Sequence, residues 1–265
     1  MDATMYQILR ERALHDHLEH HGWARLPSLD AAVLDRLRRL AGEMEAELTR
    51  HRLSSDVGFD ELWGHPDLAR RRDFSARIAA ELRLFLDRCC QGFRPVLYNM
   101  LVKRARSQQS GVRFHQDFAL LDERGGDTAL QLWIPLVDVT VENGALVVID
   151  GTHLEATWLR PHDFRHALFE HSLFDLPAAA VRLPLRAGDG IAFTNRTVHG
   201  SPPNLSPASR AAVGVILVPR DAGIVHWVRR DSGEAELWAL SDEDLHVLQP
   251  GRLPPGARLV ETVSA

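Results

Sequence analysis

The chain reads as a mainly β protein with flanking helices: an antiparallel barrel or two-sheet jelly roll behind an N-terminal helical buttress. Three observations lead there. Apolar residues recur at helical spacing through most of residues 1–95. After Arg94-Pro95 the texture changes to short apolar runs of strand length. Those runs are punctuated by Gly125-Gly126, Asn143-Gly144, Asp150-Gly151 and Gly188-Asp189-Gly190, which supply the backbone angles tight turns need.

Taken in order, Ile8, Leu9, Ala13, Leu14 and Leu18 put one apolar face on a helix over 6–21, and Gly22 offers its stop. Trp23-Ala24-Arg25-Leu26 is a short strand. Ser28 is the candidate N-cap of a second helix whose stripe is Val33, Leu34, Leu37, Leu40 and Met44. A third helix, over 74–86, shares Ile78, Leu82 and Phe85 on one face. Strands are expected at 96–102, 112–118, 128–139, 145–149, 181–185, 191–194 and 211–218. The stretch 161–174 interrupts them as a helix or mobile insert. Ser241-Asp242-Glu243-Asp244 opens a short helix, and 250–255 is a loop. The organisation expected is one domain over 1–265: buttress 1–95, strand core 96–220 and C-terminal extension 221–265.

Composition narrows the function classes. With 31 basic and 36 acidic residues the net charge is −5, so no overall basic field points to nucleic acid or to an anionic membrane surface. Arg70-Arg71-Arg72, and Arg36 with Arg38-Arg39, fall inside helical patterns and read as solvated faces. Cys89 and Cys90 are adjacent, which makes a mutual disulfide awkward and favours a reducing cytoplasm. No apolar run approaches the roughly 18 residues of a membrane span, and no export signal is visible.

The chemistry concentrates in His115-Gln116-Asp117, His199 and Arg210. Two imidazoles and one carboxylate can hold Fe(II) on one face, leaving the other positions for a bidentate oxo-acid and O₂. A His-x-Asp triplet alone is weak evidence, and a second copy, His65-Pro66-Asp67, reads as the first turn of a helix. The copy at His115 lies in an extended run, where residues i and i+2 share a face. His199 closes a strand pattern beside the small Gly200. If Ser206-Pro207 turns the chain back, Arg210 opens the next strand and points inward beside the hydroxyl of Ser201. A buried guanidinium needs a partner, and an anionic ligand would supply one. A histidine in a surface turn and an arginine facing water are the competing readings.

Together these residues resemble the phytanoyl-CoA dioxygenase family of Fe(II)- and 2-oxoglutarate-dependent oxygenases. The likeness is carried by His21-Gly22-Trp23 with Leu26-Pro27, by Lys103 before His115-Gln116-Asp117, and by Trp133-Ile134-Pro135-Leu136-Val137-Asp138. It continues in Glu142-Asn143-Gly144-Ala145-Leu146, in Gly151-Thr152-His153 and Gly188-Asp189, and in the closing His199, Ser201, Asn204 and Arg210. Asp150 departs from the family pattern, which usually has proline before the Gly-Thr-His turn; this should alter a loop and leave the ligands intact.

The resemblance implies a double-stranded β-helix. It also implies that His115, Asp117 and His199 bind Fe(II), and that Arg210 with Ser201 takes the distal carboxylate of the co-substrate 2-oxoglutarate, with O₂ as oxidant. Trp133 would line that pocket, and Lys103 and Gln131 are further cofactor-binding candidates. Asn204 would shape a turn. The activity implied is oxidation, with hydroxylation the usual outcome, of a C–H bond in a small-molecule metabolite, releasing succinate and CO₂. An intact Asp117 disfavours halogenation, while desaturation, epoxidation and cyclisation stay open. The alternatives are a cupin-like metal-dependent isomerase or hydrolase, which leaves Arg210 and Ser201 unexplained, and a metal- or ligand-binding module without turnover. His153, His162, His166 and His171 read as solvated or hydrogen-bonding groups, and a mobile 161–174 insert would act as a lid. The sequence is silent on oligomeric state.

Overall fold

The computed structural model describes residues 7–51, 53–155, 158–162, 176–248 and 252–264. Three helices lead: α1 (Arg12–His21), α2 (Ala31–Arg50) and α3 (Leu68–Cys89), with strands β1 (Trp23–Leu26) and β2 (Phe59–Glu61) between them. There follow β3 (Phe93–Lys103), β4 (Val112–His115), β5 (Leu130–Pro135), β6 (Leu146–Ile149) and β7 (Ala180–Leu183). The core closes with β8 (Gly190–Thr194), β9 (His199–Ser201) and β10 (Arg210–Pro219). Beyond it lie β11 (Ile224–Arg229), β12 (Glu234–Leu240), α4 (Asp242–Val247) and β13 (Arg258–Ser264).

Two antiparallel sheets form the double-stranded β-helix: six strands in the order β1-β8-β5-β10-β3-β2, and four in the order β4-β9-β6-β7. Alternation along each strand divides labour between the faces. On one face of the six-stranded sheet Met100, Val102, Leu132, Ile134, Val213 and Val215 are buried against Leu37, Leu40 and Met44 of α2 and Phe74, Ile78 and Leu82 of α3. Each such side chain contributes about 1.5–3 kcal/mol by leaving water. On the other face Leu97, Asn99, Leu101, Trp133, Arg210, Gly214 and Ile216 look into a cavity of about 200 Å³.

The helical segment does more than buttress, because β1 and β2 are edge strands of the large sheet. Several boundaries also differ from expectation. The first helix begins at Arg12, since Leu9 is bridged to Cys90 and Ile8 accepts the amide of Gln91. Asp30 rather than Ser28 caps α2, accepting from the Ala32 amide, while Ser28 Oγ donates to Asp189. Helix α3 starts at Leu68, with Asp67 accepting the amides of Ala69 and Arg70. Arg71 is not part of a solvated face. It is buried, its Nε donates to the carbonyl of His65 and its Nη1 to that of His246 at 2.9 Å. The Ser241 capping box opens α4 as expected.

Cys89 and Cys90 are both buried and free, and burial pushes the Cys90 thiol up to about 12. Among the described residues no helix is long and apolar enough to cross a membrane. The insert, apart from Pro161 and His162, lies outside the described residues, as do His166 and His171.

Candidate metal centre and co-substrate pocket

The small sheet assembles the centre. Strands β4 and β9 pair so that His115 stands opposite His199, with ring centroids 4.3 Å apart. Gly200 makes this approach possible: a Cβ there would lie 2.9 Å from the Val112 carbonyl oxygen of β4. The small residue therefore serves strand-to-strand contact as well as lining the cavity. Both imidazoles donate Nδ1–H to a backbone carbonyl, His115 to Arg113 at 2.8 Å and His199 to Thr197 at 3.0 Å. A carbonyl can only accept, so the proton sits on Nδ1 and the Nε2 lone pair is free to coordinate. The two Nε2 atoms lie 3.6 and 3.9 Å from Asp117 Oδ1, and one donor atom from each residue falls within 4.8 Å of the others.

Asp117 arrives by a different route from the one the strand pattern suggests. Strand β4 ends at His115 because β9, its partner, begins at His199, so Asp117 belongs to the following loop. That loop is pinned. Arg160 Nε donates to the Asp117 carbonyl at 2.8 Å, the Ala119 amide donates to Arg160 O at 2.9 Å, and Gln116 Nε2 donates to Arg196 O at 2.6 Å. Arg160 and Arg196 converge on Glu123, whose Oε2 receives them at 2.7 and 2.9 Å. From outside, Val225 of β11 donates its amide to Leu120, and buried Trp227 packs with Ala119.

The electrostatics favour a cation among these donors. Burial pushes His199 down to about 4, with His115 adding to it, so the ring is neutral. Burial works against the Asp117 carboxylate, but His199, His115 and Arg160 outweigh it and hold its pKa below the usual range. His115 moves up, because the pull of Asp117 exceeds the effect of burial. Asp117 Oδ2 is buried without a hydrogen-bond partner.

Across the cavity, Arg210 is 2% exposed, and its guanidinium lies 5.2 Å from the Trp133 ring centroid. Its Nη2 reaches the Gly144 carbonyl at 3.4 Å, while Nε has no partner. Burial lowers its pKa to about 10, which leaves it a cation at neutral pH. Ser201, Trp133 and Gln131 line the same cavity, and Gln131 Oε1 is likewise buried without a partner. Lys103 is placed differently from these three. Opposite Arg210 in the β3–β10 register, its Nζ donates to the carbonyls of Ser201 (3.1 Å) and Pro202 (2.6 Å), and it is not among the residues lining the cavity. Asn204 Nδ2 donates to Lys103 O and Ala208 O, so it shapes the turn into β10.

The motif His21-Gly22-Trp23 also reaches the centre. Thr197, whose carbonyl orients His199, donates its hydroxyl to Gly22 O at 2.6 Å. Gly22 has φ +80°, and a Cβ there would meet His153 and Thr197 at 2.6 Å. Asp150, at the usual proline position, accepts from His21 Nδ1 at 2.8 Å and Trp23 Nε1 at 3.0 Å, joining α1 to the Gly-Thr-His turn. His153 Nε2 bonds to Glu19 O.

Glu61, Asn99, Trp63 and Phe118, none of them expected from the sequence, line the cavity, and His162, read there as a solvated or hydrogen-bonding group, is buried in its wall. Asn99 and Leu101 alternate inward on β3, a signal available in the sequence. Glu61 sits on a three-residue strand that offers none.

Among curated proteins, human peroxisomal phytanoyl-CoA dioxygenase is 31% identical over 107 residues, 37% of this chain and 31% of that protein. A phytanoyl-CoA dioxygenase domain-containing protein 1 homolog from Dictyostelium discoideum is 29% identical over 144 residues, 52% of this chain and 48% of that protein. The chain thus spans between 31% and 48% of the length of these relatives. In fold it is similar to the non-heme alpha ketoglutarate dependent carbocyclase SnoK from nogalamycin biosynthesis, 22% identical with a TM-score of 0.57, covering 95% of this chain and 96% of that one. It is also similar to HygX from Streptomyces hygroscopicus, solved with nickel and 2-oxoglutarate, at 17% identity and a TM-score of 0.55, covering 80% and 88%. The family model for phytanoyl-CoA dioxygenase (PhyH) matches residues 18–212, and the chain belongs to that family.

Proposed function

We propose that the protein is an Fe(II)- and 2-oxoglutarate-dependent dioxygenase that hydroxylates a C–H bond of a small-molecule metabolite. The observation that carries this is a pair of unsatisfied buried groups of opposite charge lining one cavity: Asp117 Oδ2 beside the Nε2 atoms of His115 and His199, and Arg210 Nε elsewhere in its wall. Structural relatives agree, since SnoN was solved with Fe3+ and alpha ketoglutarate, and HygX with nickel and 2-oxoglutarate.

His115, Asp117 and His199 would hold the iron, and Arg210 with Ser201 would take the distal carboxylate of 2-oxoglutarate. The bound iron supplies the oxidation: substrate C–H, O₂ and 2-oxoglutarate become alcohol, succinate and CO₂. The chain's own groups do the positioning. Trp133 backs the Arg210 guanidinium, the Arg113 and Thr197 carbonyls fix both imidazole tautomers, and the Glu123–Arg160 pair holds the Asp117 loop. Small-molecule ligands appear among the relatives too, nogalamycin RO on SnoN and hygromycin B on HygX.

Anaerobic addition of Fe(II) and 2-oxoglutarate should give the weak visible charge-transfer band of a chelated oxo-acid, strongly weakened in Arg210→Ala. Absence of both the band and succinate formation would favour the isomerase or binding-module alternatives. SnoN is described as an epimerase and SnoK as a carbocyclase, so the outcome needs its own test. Incorporation of one ¹⁸O atom from labelled O₂ into product marks hydroxylation, and an unlabelled product excludes it.

A further inference from the structure

One carboxylate in the cavity has no part in holding iron or 2-oxoglutarate. Glu61 pairs with Leu101 in the β2–β3 register and shares its inward face, two residues along from the Lys103–Arg210 pair and on the outermost strand. Two residues along and two strands across place its backbone roughly 10 Å or more from that of Arg210. His115 and Asp117 are near enough for their charges to act on it, but it stands outside the set of three metal-binding donors.

Its surroundings are those of an anion awaiting a cation. Among the described residues, the hydrogen bond to Glu61 comes from Asn99, whose Nδ2 donates to Oε2 at 3.2 Å. The Asn99 amide cannot turn over, because its Oδ1 already accepts the Trp63 amide at 3.2 Å. Among the described residues no arginine or lysine pairs with Glu61; Lys103 is held by two carbonyls and Arg210 lies over Trp133. Burial raises the pKa of Glu61 by more than the Asn99 hydrogen bond and the charge of His115 lower it, so a positive group beside this carboxylate would be stabilised.

Aromatic side chains complete the setting. Trp63 stacks on His162 at 5.1 Å with planes 6° apart, and Phe118 lies 4.4 Å from His162; all three line the cavity. Trp63 is fixed by Nε1–H donating to Leu245 O at 3.1 Å. Aromatic faces attract cations.

We propose that Glu61, with Asn99, Trp63, Phe118 and His162, forms a substrate subsite for the protonated nitrogen of an amine-bearing small molecule. The inference rests on the oxygenase reading for what occupies the rest of the cavity. The two ligands then sort themselves by charge: the 2-oxoglutarate dianion is drawn to Arg210 and repelled by Glu61, and the amine the reverse.

Benzylamine, benzyl alcohol and benzoate serve as probes of equal size and different charge. Their dissociation constants are measured by ligand-observed NMR on wild type and Glu61→Gln, with and without Fe(II) and 2-oxoglutarate under anaerobic conditions. Wild type should bind benzylamine at least about tenfold tighter than benzyl alcohol, as a charge-assisted hydrogen bond allows, with benzoate weakest. Glu61→Gln should erase the preference. Equal binding of amine and alcohol by wild type, tighter binding of benzoate in the presence of 2-oxoglutarate, or a preference that survives Glu61→Gln overturns the proposal; the wild-type comparison decides even if the variant does not fold. The charge-transfer band in the same samples reports separately on the oxygenase reading. A preference without a band leaves the subsite standing and removes that reading, and a band without a preference does the opposite.

Discussion

Replacing Glu123 by glutamine tests how the loop carrying Asp117 is held. Its carboxylate receives Arg160 through Nη1 at 2.7 Å and Nη2 at 2.8 Å, Arg196 Nε at 2.9 Å, and the Thr128 hydroxyl at 2.8 Å. The Glu123 side chain is fully shielded and that of Arg160 nearly so, whereas that of Arg196 is 22% exposed. Glutamine keeps the shape but removes the charge and turns an NH₂ toward guanidinium donors. Breaking a buried ion pair from one side costs about 3–5 kcal/mol. Solvent reaching Arg196 tempers its share, so the lower end is expected. At about 2–4 °C per kcal/mol for a domain of this size, the melting midpoint should fall by roughly 6–12 °C. Because Arg160 also donates to the Asp117 carbonyl, Fe(II) affinity should fall about ten- to a hundredfold, the range seen when groups supporting metal ligands are removed. Thr128→Ala, which deletes one neutral hydrogen bond, should cost only about 1 kcal/mol and leave iron affinity unchanged. Differential scanning fluorimetry and anaerobic iron titration give both readouts. A Glu123→Gln protein melting within about 2 °C of wild type and binding iron equally well refutes the reasoning.

Two further outcomes follow from the same geometry. Lys103→Met leaves the Ser201 and Pro202 carbonyls without a donor, yet removes a group whose pKa burial, aided by Arg210, lowers to about 6. Between that value and the ordinary lysine value the unfolded chain binds the extra proton, so wild type loses stability as pH falls across this window. The difference in melting midpoint should therefore move in favour of Lys103→Met from pH 9.5 to 6.5, and a constant difference would contradict the buried position of Lys103. Gly200→Ala places a Cβ 2.9 Å from the Val112 carbonyl oxygen, forcing β4 away from β9. Stability should drop by about 1–3 kcal/mol, as overpacking does, with iron binding sharply weakened in equilibrium dialysis; unaltered iron binding would show that the His115–His199 approach does not depend on this glycine.

What the sequence made legible was whatever depends on short-range spacing. Short apolar runs between glycine turns marked the core strands, and the order of His115, Asp117, His199 and Arg210 marked the candidate site. The unseen parts depend on partners distant in sequence. Nothing near Glu123 announces that Arg160 and Arg196 will share its carboxylate. Arg71 sits in a run of three arginines, and only the packing of α3 beneath the His65 and His246 carbonyls separates it from its solvated neighbours. Strand β2 is three residues long, too short for a period to show, which hid Glu61. The hairpin of β11 and β12 was detectable: Ser232-Gly233 lies between two apolar-alternating runs, and Gly233 adopts φ +84°. The i, i+2 argument set Asp117 on the same strand as His115, whereas it stands on a pinned loop after that strand.

His115, Asp117 and His199 are proposed to close on one ferrous ion. Anaerobic equilibrium dialysis against Fe(II), with iron counted per chain, tests it most directly in wild type and in His115→Ala, Asp117→Ala and His199→Ala. About one tightly held iron per wild-type chain is expected, and each single substitution should reduce it to a small fraction by leaving only two of three protein donors. Wild type that retains no iron, or three variants that retain it as wild type does, would contradict the account.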